Sequence, residues 1–171
     1  MNTRRKGNTK PTVARRVQEG FSLIELLIVV AIILVLSAIA IPNLIKSKMA
    51  ANEASAVNTI RTFTSANVTY ASLCPTVGYP ATLADLGPGA GACTGGANIV
   101  DPVLGVVLPV KAGFVFTYAT TAASGTNDAY TLNADPSASG MSGQRHFFCD
   151  GTGVIRYNLA ATATVASPAL Q

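Results

Sequence analysis

Residues 21–41 read FSLIELLIVVAIILVLSAIAI, and only Ser22, Glu25 and Ser37 in that run are polar. A helix over this stretch rises roughly 30 Å, the thickness of a bilayer's hydrocarbon core. Membrane insertion is therefore the first functional expectation. Ahead of the run, residues 1–20 hold Arg4, Arg5, Lys6, Lys10, Arg15 and Arg16 against Glu19 alone. Positive charge beside a span stays in the cytoplasm, so the leader is expected inside and the C-terminal body across the membrane. This leader also accounts for the net charge of +4 and the pI of 9.2. Residues 21–171 carry six basic and seven acidic side chains. The body thus lacks the excess positive charge of a nucleic-acid-binding face, and no nucleic-acid partner is predicted.

Three readings of the run compete. A plain single-span anchor explains its length. A cleaved secretory signal explains the basic flank, and Ala38-Ile39-Ala40 supplies a small-x-small cleavage site. Neither explains Glu25. An acidic side chain costs about 3 kcal/mol at the centre of a membrane helix and less near its end. Such a carboxylate calls for a cation, because pairing offsets part of the desolvation cost.

The third reading supplies that cation. Gly20-Phe21-Ser22-Leu23-Ile24-Glu25, following a basic leader and opening an apolar run, resembles the class III signal peptide of type IV pilins and type II secretion pseudopilins. The resemblance implies that a membrane-bound prepilin peptidase and methyltransferase cuts between Gly20 and Phe21 and methylates the new Phe21 amine. It implies that Glu25 meets the N-terminal amine of a neighbouring subunit during filament assembly. Pro42 sits where such proteins commonly carry a helix-bending proline. The resemblance is strong over residues 15–45 and weaker beyond them.

Beyond the run, Ile45, Met49, Val57, Ile60, Phe63 and Val68 recur at spacings that give a helix one buried stripe. With residues 21–41 this makes one long helix over 21–73, kinked at Pro42, where an amide donor is missing. Its first half has no core of its own to enter, so burial against identical helices is the physical solution the pattern suggests. Cys74-Pro75 ends the helix. Residues 74–102 are rich in Gly and Pro and read as a long connecting loop with little regular structure. Short β-type runs follow at Val103–Val110, Gly113–Thr120, Asp128–Ala134, Arg145–Cys149 and Gly153–Asn158. Phe114, Phe116 and Tyr118 alternate, as do Tyr130 and Leu132, which is the pattern of a half-buried antiparallel sheet. The tail 159–171, rich in Ala, Thr and Ser, reads as a loose terminus. The expected fold is α+β, a long N-terminal helix packed on a small antiparallel head, as the resemblance also implies. The expected division is a cleaved leader 1–20, a membrane and filament-core helix 21–42, an amphipathic helix 43–73, a loop 74–102, and a head and tail 103–171.

Cys74, Cys93 and Cys149 lie in the translocated body, where disulfides are permitted. Three cysteines allow one intramolecular bridge. Pairing Cys74 with Cys93 would close the long loop and is favoured, with Cys149 buried as a small apolar group. Pilins often carry a disulfide nearer the C-terminus, where only Cys149 sits, so the resemblance leaves the pairing open. His146, the only histidine, lies three residues from Cys149 on an expected strand, so the two should face opposite ways. One histidine with scattered cysteines does not make a zinc site. Some pseudopilins bind calcium near their C-terminal loops, and Asp128, Asp135 and Asp150 are the candidates here. Each is equally explained as a turn residue, and no cofactor is predicted.

With 171 residues, the chain has room for one small domain and an appendage, not for a two-domain enzyme. It carries no Gly-x-Ser-x-Gly elbow and no phosphate-binding Gly-Lys-Ser/Thr loop. The expected role is structural: a polymerising pilus subunit, sitting in the inner membrane before assembly and in an extracellular pilus after it. Its expected partners are other copies of itself, the processing enzyme and a pilus assembly platform. A periplasmic pseudopilin of a secretion system is the alternative. The small head and a surface rich in Ala, Gly, Ser and Thr lean toward the pilus subunit. Two non-filament readings remain: a single-span anchored domain that keeps Met1, and a secreted domain that starts at Ile41.

Overall fold

The computed structural model describes residues 20–91, 93, 95–123 and 125–170. The expected leader, apart from Gly20, lies outside the described residues. The chain divides into two compact units, Met1–Ala40 and Ile41–Gln171. The boundary falls beside Pro42, which lies inside the helix α1, Leu23–Leu73.

In the first unit, the α1 residues up to Ala40 have no buried side chain. This is the chain's one described helix that is long and apolar enough to cross a membrane. Leu, Ile and Val side chains that would form a core elsewhere stand exposed on every side, from Leu23 to Ile39.

The second unit is an α+β head. Glu53, Ala56, Thr59, Ile60, Phe63, Ala66, Asn67 and Tyr70 form the buried stripe of α1. Their spacing of three and four residues keeps them on one helical face. The stripe differs from the expected one in three residues: Ile45 and Val68 are exposed, while Asn67 is buried beside Ala56 and Ala66. Small side chains let the helix approach the sheet closely, and Asn67 is admitted because its Oδ1 accepts a hydrogen bond from the Tyr118 hydroxyl at 3.2 Å. The phase of the stripe is therefore set by steric fit and one polar pair, not by hydrophobicity alone.

Five antiparallel strands form the sheet, in the spatial order β1-β2-β3-β4-β5. They are β1 Val110–Lys111, β2 Phe114–Ala123, β3 Thr126–Pro136, β4 His146–Asp150 and β5 Arg156–Asn158. Alternation divides each strand between two faces. Phe114 and Phe116 of β2, Tyr130, Leu132 and Ala134 of β3, and Phe147 and Cys149 of β4 are buried in one cluster with the α1 stripe. Phe63 meets Phe116 edge-on with ring centroids 5.7 Å apart. This is the pilin-like arrangement of one long helix on a small antiparallel sheet.

Two local expectations are corrected, a strand and the tail. Residues 103–109 are not a strand. Asp101 Oδ1 accepts the Val103 and Leu104 backbone N–H groups, both at 2.9 Å, and turns the chain. Pro109 then ends the segment without an amide to give to a ladder, so pairing begins only at Val110. The 74–102 loop has little regular structure among its described residues. It holds a 3₁₀ turn at Leu83–Leu86, closed by Asp85 accepting from the Thr82 backbone N–H at 2.8 Å. Leu83 and Leu86 are fully buried in the head core. The tail is not loose. The Tyr157 N–H donates to the Pro168 carbonyl and the Leu170 N–H to the Ile155 carbonyl, while Ala163 is buried and its carbonyl accepts from Asn133 Nδ2 at 2.9 Å. Its backbone donors and acceptors are thus matched to groups on β3, on β5 and at Ile155 just before β5, which a composition of Ala and Thr does not announce.

Candidate processing and assembly site

Gly20, Phe21 and Ser22 precede the helix as non-helical chain. The Ser22 carbonyl accepts the Leu26 N–H at 3.2 Å and so opens α1. Gly20 has nothing within 4 Å of where a β-carbon would stand, and Phe21 is 78% exposed. The segment is a non-helical, uncovered stretch immediately before a helix, which leaves its backbone open to a protease.

Glu25 lies in the first turn of α1 and is exposed. An acidic side chain there interacts favourably with the unpaired N–H groups of the helix start. That interaction rationalises the acid's tolerance in an apolar helix. A cation placed at the same end would add to it.

Cys74 follows the last residue of α1 and is bridged to Cys93. The Cys74 N–H donates to the Tyr70 carbonyl at 2.9 Å, so the disulfide fastens the loop directly to the end of the helix. Cys149 is a free, buried thiol on the core face of β4, 3.6 Å from Thr64 Oγ1. Burial pushes its pKa up, which keeps it protonated and unreactive. His146 takes the opposite face, where its Nδ1 lies 2.6 Å from Asp135 Oδ1.

The calcium candidates have separate partners. Asp135 meets His146, Asp150 Oδ1 accepts the Thr152 N–H, and Asp128 Oδ1 accepts the Thr126 hydroxyl at 2.7 Å. Among the described residues, no three metal-ligating side chains come together.

One polar site was not legible in the sequence. Glu53 is buried on α1. It accepts the Gln144 and Arg145 backbone N–H groups at 2.8 and 3.0 Å, and Arg145 Nε at 2.7 Å. Beside it, Asn52 Nδ2 donates to the Ser142 carbonyl at 2.8 Å. Burial alone would raise the Glu53 pKa. The two backbone donors and the guanidinium outweigh it and hold the carboxyl below its ordinary value. These contacts fix the β3–β4 connection onto the helix. Gly143 passes so close to the Phe114 ring that a β-carbon would lie 2.5 Å from it.

Comparison with known proteins bears on the N-terminal part of the chain. The family model for the prokaryotic N-terminal methylation motif matches residues 15–41. No curated protein and no solved structure matches the chain. The match takes in Gly20, Phe21, Glu25 and the apolar run, and implies processing by a peptidase and membrane insertion. The chain thus carries the prokaryotic N-terminal methylation motif, the class III signal peptide of type IV pilin-like and pseudopilin-like precursors, ahead of a pilin-like α+β head.

Proposed function

We propose that the chain is a structural subunit of a type IV pilus. The supporting observation is a helix whose N-terminal half buries nothing within the chain, preceded by a methylation motif. Lipid can cover that half before assembly, and identical helices can cover it afterwards. In this reading the precursor inserts with its leader in the cytoplasm and is cut between Gly20 and Phe21. Phe21 is then methylated. Glu25 pairs with the Phe21 amine of the next subunit and sets the axial register, and Pro42 provides the bend between the filament core and the head. The assembly platform draws subunits out of the inner membrane into an extracellular fibre that serves adhesion or motility. The role is structural, and it asks nothing of a cofactor.

Glu25→Val tests the register role. Insertion and cleavage are expected to survive, because the apolar run and the Gly20–Phe21 junction are intact, while fibres at the cell surface are lost. Normal fibres from the variant would refute the role. Deletion of the chain separates the two machines that use this signal: loss of surface fibres marks a pilus subunit, and loss of protein export with fibres unchanged marks a pseudopilin.

A further inference from the structure

The segment between the α1 end and β1 carries apolar side chains that the head does not use. Leu104 and Pro109 are buried, and between them Val106, Val107 and Leu108 face solvent, Val107 being 64% exposed. The exposure is built in. Asp101 clamps the start of the segment through two backbone N–H groups, and the Pro109 carbonyl accepts the Phe116 N–H at 2.9 Å at its end. A ridge of three adjacent apolar side chains, held out by anchors on both sides, marks an interaction surface. Lys111, the only lysine in the sequence after Lys48, follows the ridge and is exposed.

A groove of about 670 Å³ lies on the sheet face turned away from α1. Thr131 and Asn133 of β3, Phe148 and Asp150 of β4, and Thr164 and Val165 of the tail line it. Its surface is mostly apolar, with the Asp150 carboxylate on the wall.

We propose that the Val106-Val107-Leu108 ridge of one chain docks in this groove on a second copy, with Lys111 brought toward Asp150. The two surfaces match in character, apolar against apolar and cation against carboxylate. They also belong to different parts of the same sheet, the ridge beside β1 and the groove over β3 and β4. In a head-to-tail arrangement each docked copy leaves one ridge and one groove open, so the contact propagates, whereas a reciprocal twofold pair would use both and stop at the dimer. The proposal rests on the polymer reading and adds to it a head-to-head contact that involves neither Glu25 nor the apolar helix.

The test uses the full chain in its own cells, carrying Val107→Cys together with Thr131→Cys. Both positions are exposed, so cysteine is accommodated without repacking. Isolated fibres are oxidised and run without reductant. The expected result is a ladder extending beyond the dimer. Either substitution alone should give monomer, and co-expression of the two single variants should give linked pairs only. A second pair, Val107→Cys with Thr164→Cys, probes the opposite wall of the groove and replaces the first if the first blocks assembly. Fibres that yield no ladder with either pair overturn the docking and leave the polymer reading standing. Dimers from Val107→Cys alone also overturn it, because they require ridge against ridge. Unmodified cells that make no fibre overturn both readings.

Discussion

Glu53 brings a carboxylate into the contact between α1 and the β3–β4 connection, where it accepts from three donors, the Gln144 and Arg145 backbone N–H groups and Arg145 Nε. Glu53→Ala would strand two backbone N–H groups and uncouple Arg145, whose side chain is 38% exposed and can rehydrate. The expected loss is therefore about 2 kcal/mol, within the range for hydrogen bonds to a charged group and below that for a fully buried ion pair. The pH dependence has a definite sign. The folded-state pKa lies below the unfolded-state value, so the unfolded chain takes up the proton first as pH falls. The contribution is complete above the ordinary glutamate pKa of about 4.3 and disappears as pH drops through the folded-state value. Thermal unfolding in detergent at neutral and at acid pH checks both points: the gap between wild type and Glu53→Gln should narrow as the buffer becomes acidic. A gap that stays constant would show that the carboxylate's charge is not what matters. The sequence hides this residue because Glu53 and Arg145 are 92 positions apart, and a lone glutamate among polar helix residues looks like part of a solvated face. Asn67 was hidden in the same way, since only the tertiary approach of Tyr118 makes its burial tolerable. The methylation motif over residues 15–41 is legible because local spacing, not tertiary contact, defines it.

Secondary elements were legible where one face decided them. β2 and β3 announce themselves through Phe114-Phe116-Tyr118 and Tyr130-Leu132, because side-chain period two sorts core from solvent. Residues 103–109 read as a strand by composition, yet Asp101 and Pro109 turn them into an anchored ridge. The order of the tail is not legible in its composition, because the tail is held through its own backbone groups, to which composition is blind. The connecting loop lies between these cases: its Gly and Pro content was plain, its buried Leu83 and Leu86 were not. The disulfide acts on that element. It joins residues 19 apart and ties the loop that delivers both leucines to the end of α1. Replacing the pair by Cys74→Ser with Cys93→Ser should cost about 3 kcal/mol by loop-closure entropy, a fall in Tm of roughly 10 °C. Thermal scans of the double variant measure this directly. The head should still fold, because Phe63, Phe114, Phe116 and Phe147 of its buried cluster lie outside the loop. A variant as stable as wild type would mean that the loop is held by Leu83 and Leu86 alone.

At the scale of the whole molecule, two solvents divide the chain. Among the described residues, every buried one belongs to the second compact unit, the first in sequence being Glu53. The apolar half of α1 contributes nothing to that core and exposes Leu, Ile and Val throughout. Stability and solubility therefore reside in different segments, and cutting between them should separate the two properties. A fragment of residues 46–171 keeps the whole α1 stripe, the sheet, the disulfide and the tail. Its core joins helix, loop and strands in one cluster, which is sufficient burial for a domain of this size to fold alone. The fragment is expected to be soluble without detergent and to unfold in one cooperative transition. The chain beginning at Phe21 should need detergent or lipid, or else polymerise. Sedimentation and thermal denaturation of both forms in the same buffer make the comparison. An unfolded fragment would show that the apolar half supports the head, and a freely soluble monomer beginning at Phe21 would remove the physical reason for assembly. If the fragment folds, Val107→Asp introduced into it should leave Tm nearly unchanged, because the ridge does no work within a single head. An unchanged Tm is what the proposed docking of the ridge on a second copy requires, and a large fall would show that the ridge packs within its own head.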